Sequence, residues 1–356
     1  MIEQNLLAAD PLSEEGVKLI HETSMEVFEE TGVAIHSEEA RDIFENHGAE
    51  VEGHKVFLSG DILDKYLEEV PSSFTLHARN PDNSVEIGGS KGILAPGYGA
   101  PWVAGRGGNK RPATYEDYEN FTKLAQTSDH LDVLGGVLVE PTDLAEEERH
   151  VRMTYAGAKY SDKPLMGSPL GKKKAREVMR MAGIVMGEEK IIRDRPVVIT
   201  LISTTSPLSY DNQMLEALIE HAKFNQPTVI ASLIMAGSTG PVTVAGALTL
   251  QNVEVLAGIV LSQMVSPGAP VVYGSASTIM DMNTGDLTVG DPEYAKFVAA
   301  TAQLARHYDI PSRGGGSITD SLRPDGQAGY ESMMTFYASM AHGMDLVLHA
   351  AGLLKN

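Results

Sequence analysis

The feature that most constrains this chain is an alternation that begins near residue 92. Short apolar runs, several rich in β-branched residues, alternate with stretches of helical periodicity, and the pattern is kept up through eight runs. The runs fall at 92–96, 133–140, 164–167, 196–203, 227–235, 270–275, 311–316 and 345–349. The helical stretches fall at about 114–127, 145–160, 171–187, 211–223, 242–264, 291–308 and 325–342. Five of the runs open on proline, whose missing N–H does least harm at a strand's first position. Aspartate, threonine or glycine precedes several of the helices, as N-caps require. Strands joined by helices run parallel, and eight of them close a ring. The expectation is a (β/α)8 TIM-type barrel over residues 91–356, carrying the catalysis; an open doubly wound sheet is the alternative. The sequence ends at Asn356, shortly after the eighth run. The last barrel helix is therefore expected to be absent from this chain, with the lead-in helices available to cover its place.

Residues 1–90 have a different rhythm. Val17, Ile20, Val27 and Phe28, with the small Ser24, share one face of a helix predicted over 13–31; Ser13 and Glu15 start it and Gly32 stops it. A second helix is predicted over 37–47. The runs VFLSGDILDKYLEEVPSSFTLHARNP and NSVEIGG read as short strands around one short helix, with a turn at 80–83. The expectation is a helical extension with a small antiparallel sheet.

Charge and cysteine usage narrow the function classes. A formal net charge of −20 repels phosphate backbones and argues against a nucleic-acid partner. With no cysteine, disulfides and thiolate zinc sites are excluded. The N-terminus lacks a basic region followed by an apolar run, so no secretory signal is read. The longest apolar stretch, 242–265, is interrupted by Gln251, Asn252 and Glu254, short of the roughly eighteen residues of a membrane span. A cytoplasmic protein with no membrane partner is expected.

Barrel enzymes place their chemistry on the loops after the strands. Here those loops hold small residues, hydroxyls, aromatics and carboxylates, with few cations beyond Arg313, Arg323 and the stretch from Arg106 to Arg111. Tyr98 and Trp102 follow the first run, Tyr210 follows the fourth and Tyr330 the seventh. Aromatic faces attract quaternary ammonium groups by cation–π interaction, so these four are candidate substrate-binding residues, each with loop packing as its plainer explanation. Glu140 ends the second run, Asp320 follows the seventh and His349 ends the eighth; these are the catalytic candidates, against a salt bridge for Glu140 and a structural role for His349. Gly314-Gly315-Gly316-Ser317 could cradle an anion through backbone N–H groups, but no lysine stands beside it. The glycines suit close approach of something flat and large to the backbone. Asp325 reads as a helix cap and Glu331 as an ordinary helix residue.

The runs GGGSITDSLRPDGQAGYES, PGAPVVYGSASTIMDMNTGD with GDPE, and HAAGLL resemble the trimethylamine methyltransferase family, as does the lead-in SMEVFEETGVAIHSEEARDIF. The resemblance runs in order along nearly the whole chain. It implies a (β/α)8 barrel that passes a methyl group from a methylated amine to cobalt(I) of a separate corrinoid protein. Founding members carry pyrrolysine at the barrel mouth; none occurs here, and its place falls near Leu322. Members without pyrrolysine resemble demethylases of quaternary amines such as glycine betaine, carnitine or proline betaine. A quaternary nitrogen departs as a neutral tertiary amine, so it needs neither a general acid nor a pyrrolysine adduct. A betaine carboxylate would need donors from backbone N–H groups, His349 or Arg313, and Gly314, Gly315, Gly316, Ser317 and Leu322 would face the corrinoid. Neither zinc nor pyridoxal phosphate is expected, since no lysine ends a strand; a homo-oligomer fits. A barrel lyase or aldolase, a non-catalytic betaine-binding protein and an inactive scaffold are the competing readings.

Overall fold

Seven of the eight predicted strands form one parallel sheet, in the order Ile93–Leu94, Leu346–Leu348, Ser312–Gly315, Val271–Ser275, Thr228–Ser232, Val198–Ser203 and Leu165–Met166. The computed structural model describes residues 10–89, 91–105, 107, 109–167 and 170–355. Arg106 and the Ser168-Pro169 end of the third loop lie outside them. The run predicted at 133–140 is the exception, because it is not a regular strand. Its first residues nevertheless bond on both sides: the Asp132 and Val133 N–H groups donate to Leu94 O, and Leu134 N–H donates to Pro164 O. The segment thus bridges the two edge strands and completes the curl. Its pairing stops at Gly135, where φ is +83°. At Gly136 a Cβ would lie 2.9 Å from Gly167 O, so the backbones approach more closely there than any side chain permits.

The barrel helices are α4 (Tyr115–Thr127), α5 (Glu146–Tyr160), α6 (Gly171–Val185), α7 (Asn212–Lys223), α8 (Val244–Val265), α9 (Pro292–His307) and α10 (Gly326–Ala341), preceded in the extension by α1 (Glu14–Glu30), α2 (Glu38–Asn46) and α3 (Gly60–Leu67). Side-chain caps fix several starts. Ser13 accepts from Gly16 N–H, Thr114 and Asp117 form a capping box, and Asp325 accepts from Ala328 N–H.

The two faces of the sheet build two cores. Ile93, Val133, Met166, Leu201, Val229, Val272, Leu346 and Leu348 fill the barrel interior, and Leu76 and Ile87 of the hairpin Phe74–Leu76/Val85–Ile87 pack against them. The outer core is larger. α8 is apolar on every side, because the strands cover one face and the extension covers the other. α1, α2 and α3 all pack on it, and Phe28, Phe44 and Leu63 share one cluster with Leu248, Val255 and Ile259. By length and composition α8 could cross a membrane, yet its most apolar stretch is 78% buried inside the protein.

Two expectations about the extension are corrected. Its sheet is mixed rather than antiparallel, since Val33–Ile35 pairs antiparallel with Lys55–Phe57 but parallel with Ser209–Tyr210 after the fourth barrel strand. The lead-in helices also settle on α7, α8 and α9, where α8 offers an apolar face, and not beside the last strand.

Candidate active site

Three neighbouring strands bring Tyr98, Arg313 and His349 to the C-terminal end of the barrel. Arg313 stands in register with Leu346, whose side chain fills the interior, so it shares the inward face. Only 4% of Arg313 is exposed. Its Nη1 donates to Ser275 O at 2.6 Å, and Nε has no partner. Among the described residues no carboxylate pairs with it; the ionisable groups that feel its charge are Tyr98, Tyr294 and His349. Burial pulls the guanidinium below its usual value, but arginine keeps its charge at neutral pH. Burying an uncompensated charge costs several kcal/mol, roughly, so this group marks a site.

His349 carries the second mark. It follows the strand Leu346–Leu348 with φ +61°, in the left-handed region that a non-glycine residue seldom adopts. Ladder-like bonds hold it there: its N–H donates to Pro96 O at 2.7 Å, and its carbonyl accepts from Ser317 and Gly352 N–H at 3.0 Å each. Nδ1 is buried without a partner. Desolvation first, and then the charge of Arg313, push the imidazole down to about 3, so it is neutral at physiological pH. Tyr98 is half-buried, its hydroxyl is buried without a partner, and desolvation holds it protonated.

The other predicted site residues lie elsewhere. Tyr210 is fully buried in the outer core, its hydroxyl donating to Glu254 O at 2.6 Å; pairing with Ile35 turned it from the mouth. Tyr330 is 85% exposed on α10. Neither belongs to a substrate cage. Trp102 sits on the hairpin Trp102–Ala104/Lys110–Pro112 and lines an apolar cavity of about 450 Å³ with Pro96, Phe121, Leu138 and Leu353; the three mouth residues do not line that cavity. Glu140 is in close ion pairing with Arg149, the salt bridge that was its plainer reading. Asp320 is a latch between loops. Its carboxylate accepts from Val289 and Gly290 N–H at 3.0 and 2.7 Å and lies 3.4 Å from Lys355 Nζ, which leaves it engaged rather than free for proton transfer.

The glycine run is corrected for a physical reason. A Cβ on Gly314 would meet Ser339 and Met344, one on Gly315 would meet the Tyr294 hydroxyl, and one on Gly316 would lie 2.9 Å from His349 O. The close approach that these glycines permit is by this protein's own helices and last strand, not by a corrin ring. Ser317 pairs through its backbone with His349 and Leu353. Leu322 is 56% exposed at the loop surface. Tyr294, which adjoins Gly315 and feels Arg313, was missed because it lies on a helix; its position three residues after the Asp291 cap could have placed it at the mouth.

Comparisons with known proteins agree with this layout. The model of the trimethylamine methyltransferase (MTTB) family matches residues 1–356. A glycine betaine methyltransferase of Desulfitobacterium hafniense (strain Y51) is 47% identical over 97% of this chain and 72% of its own length. A proline betaine:corrinoid methyltransferase of Eubacterium limosum is 35% identical over 97% and 72%. The monomethylamine methyltransferase MtmB of Methanosarcina barkeri, a solved structure, shares the fold with a TM-score of 0.56 at 9% identity, over 99% of this chain and 79% of its own.

Proposed function

Because the chain belongs to the trimethylamine methyltransferase family, we propose that it demethylates a quaternary amine of the glycine betaine type, with a separate corrinoid protein as methyl acceptor. The observation that carries the reading is the protonation state of the mouth. Of the carboxylates that the sequence offered, Glu140 is ion-paired and Asp320 is held by backbone N–H groups; the mouth histidine is neutral. Such a site is poorly equipped to protonate a leaving amine. A quaternary nitrogen needs no proton, since the electron pair of the breaking C–N bond stays on nitrogen and releases a neutral tertiary amine.

The corrinoid, carried by its own protein, supplies the cobalt(I) nucleophile to which the methyl group passes. The residues of this chain bind the substrate, align the C–N bond and exclude water. Tyr98 contributes an aromatic face, and His349, fixed by its backbone bonds, stands beside it as a neutral polar group. The acidic surface, with 48 acidic against 28 basic side chains, suits a partner protein with a basic face and is unsuited to nucleic acid.

The test mixes the enzyme, a cognate corrinoid protein reduced to cobalt(I), and glycine betaine, and follows the visible spectrum. Methylation of the corrinoid with glycine betaine but not with trimethylamine is the expected result. No spectral change with any of a panel of betaines would overturn the reading.

A further inference from the structure

We propose that Arg313, Tyr98 and His349 form a carboxylate-reading subsite that selects betaines over quaternary amines lacking an anionic group. The inference rests on the quaternary-amine reading and adds to it which end of the substrate each residue holds.

Arg313 is a buried cation without an anion. Its Nη1 is occupied by Ser275 O, but the edge formed by Nε and Nη2 donates to nothing among the described residues. That edge presents two parallel N–H donors, the fork that a carboxylate accepts in bidentate fashion. The Tyr98 hydroxyl and His349 Nδ1 are the other buried polar atoms at the mouth without partners. Two groups come from flanking strands, and all three feel one another's charge or dipole. A phenol donates and a neutral imidazole nitrogen can donate in one tautomer, so both can complete the carboxylate's shell. No anionic side chain of the chain satisfies this set, whereas a substrate carboxylate satisfies it and neutralises the guanidinium at once.

The arrangement also separates the substrate's two charges. The trimethylammonium end is kept from the guanidinium by the length of the molecule and points toward open solvent at the mouth, where the methyl acceptor must arrive. Trimethylamine has no anionic end and gains nothing from Arg313. Choline, which has the same trimethylammonium head and a hydroxyl in place of the carboxylate, isolates the contribution of the anion.

The experiment is calorimetric titration of the intact protein with glycine betaine and with choline, using the wild type, Arg313→Met and Tyr98→Phe. Wild type should bind glycine betaine at least tenfold more tightly than choline. Arg313→Met should lose tenfold or more in betaine affinity and leave choline unchanged; Tyr98→Phe, which removes one hydroxyl and no packing, should lose severalfold for betaine alone. Equal affinities for the two ligands in the wild type, or an unchanged betaine-to-choline ratio in either folded variant, would overturn the subsite and leave the quaternary-amine reading standing. Failure of the wild type to bind any quaternary amine would overturn both. Should Arg313→Met not fold, the Tyr98→Phe ratio decides alone.

Discussion

Glu254 and Arg313 are both buried charged side chains at the C-terminal end of the barrel sheet, and neither has an ion-pair partner among the described residues. Their surroundings differ sharply. Glu254, on α8 and fully buried, accepts from the Thr204, Ser206 and Ser232 hydroxyls at 2.5, 2.8 and 2.6 Å and from Leu208 N–H at 2.7 Å. Four donors surround one carboxylate and tie the loop after Val198–Ser203 to the end of Thr228–Ser232. Arg313 has one protein acceptor and an idle donor edge. A buried ion that the fold needs is satisfied by the fold; a buried ion left incomplete is held for something that arrives later. The comparison separates a structural charge from a binding charge without reference to the chemistry of either.

The largest effect expected of the comparison is on stability at Glu254. Alanine there strands three hydroxyls and one N–H in the interior, at about 1–3 kcal/mol for each donor that water cannot reach, and the total loss should be about 3–5 kcal/mol, as for other broken buried networks. Urea denaturation measures it. A loss below about 1 kcal/mol would mean that the four bonds do not hold the loop, and the contrast with Arg313 would collapse.

A third buried group sharpens the comparison by being neutral. His221 on α7 is fully buried with neither ring nitrogen bonded, and desolvation pushes it down to about 3. Its folded value lies below the unfolded one of about 6.5, so the unfolded chain takes up a proton over a range in which the folded chain does not. Stability is therefore complete above about pH 6.5 and is lost as pH falls toward 3, by about 1.4 kcal/mol per pH unit from this residue. The wild type should lose more stability between pH 7 and pH 5 than His221→Leu does, as read from urea midpoints. Parallel losses in the two proteins would show that His221 protonates without unfolding.

Much of this fold was legible in the sequence because it depends on local signals. Each barrel helix lies within two or three residues of its predicted range, since its caps and apolar spacing are written locally. The run at 133–140 was misread because Gly135 and Gly136 look tolerable inside an apolar run; what forbids a strand is the approach of Gly167, which no local pattern reveals. The site was legible in part. Position at a strand's C-terminal end marked Arg313 and His349, and the loop after the first strand marked Tyr98. The same rule misled at Tyr210, because a residue after a strand can pair with a distant segment, here Ile35, instead of facing the mouth. Asp320 and the glycine run were misread for a related reason: what occupies an oxygen or lies beside a Cα is decided by tertiary contacts. Glu254 and Tyr294 lie on helices, outside any search confined to loops.

The smallest expected effect is the one that discriminates best. Arg313→Met removes a single hydrogen bond, to Ser275 O, together with a charge that the protein does not neutralise. Replacing an uncompensated buried ion by an apolar chain of similar length is often neutral or stabilising, so the lost bond, about 1 kcal/mol, should be offset. Urea unfolding of this variant should lie within about 1 kcal/mol of the wild type even though its binding of glycine betaine is lost. A destabilisation above about 3 kcal/mol would place Arg313 beside Glu254 as a structural ion, because only a group already satisfied within the fold can cost that much when removed.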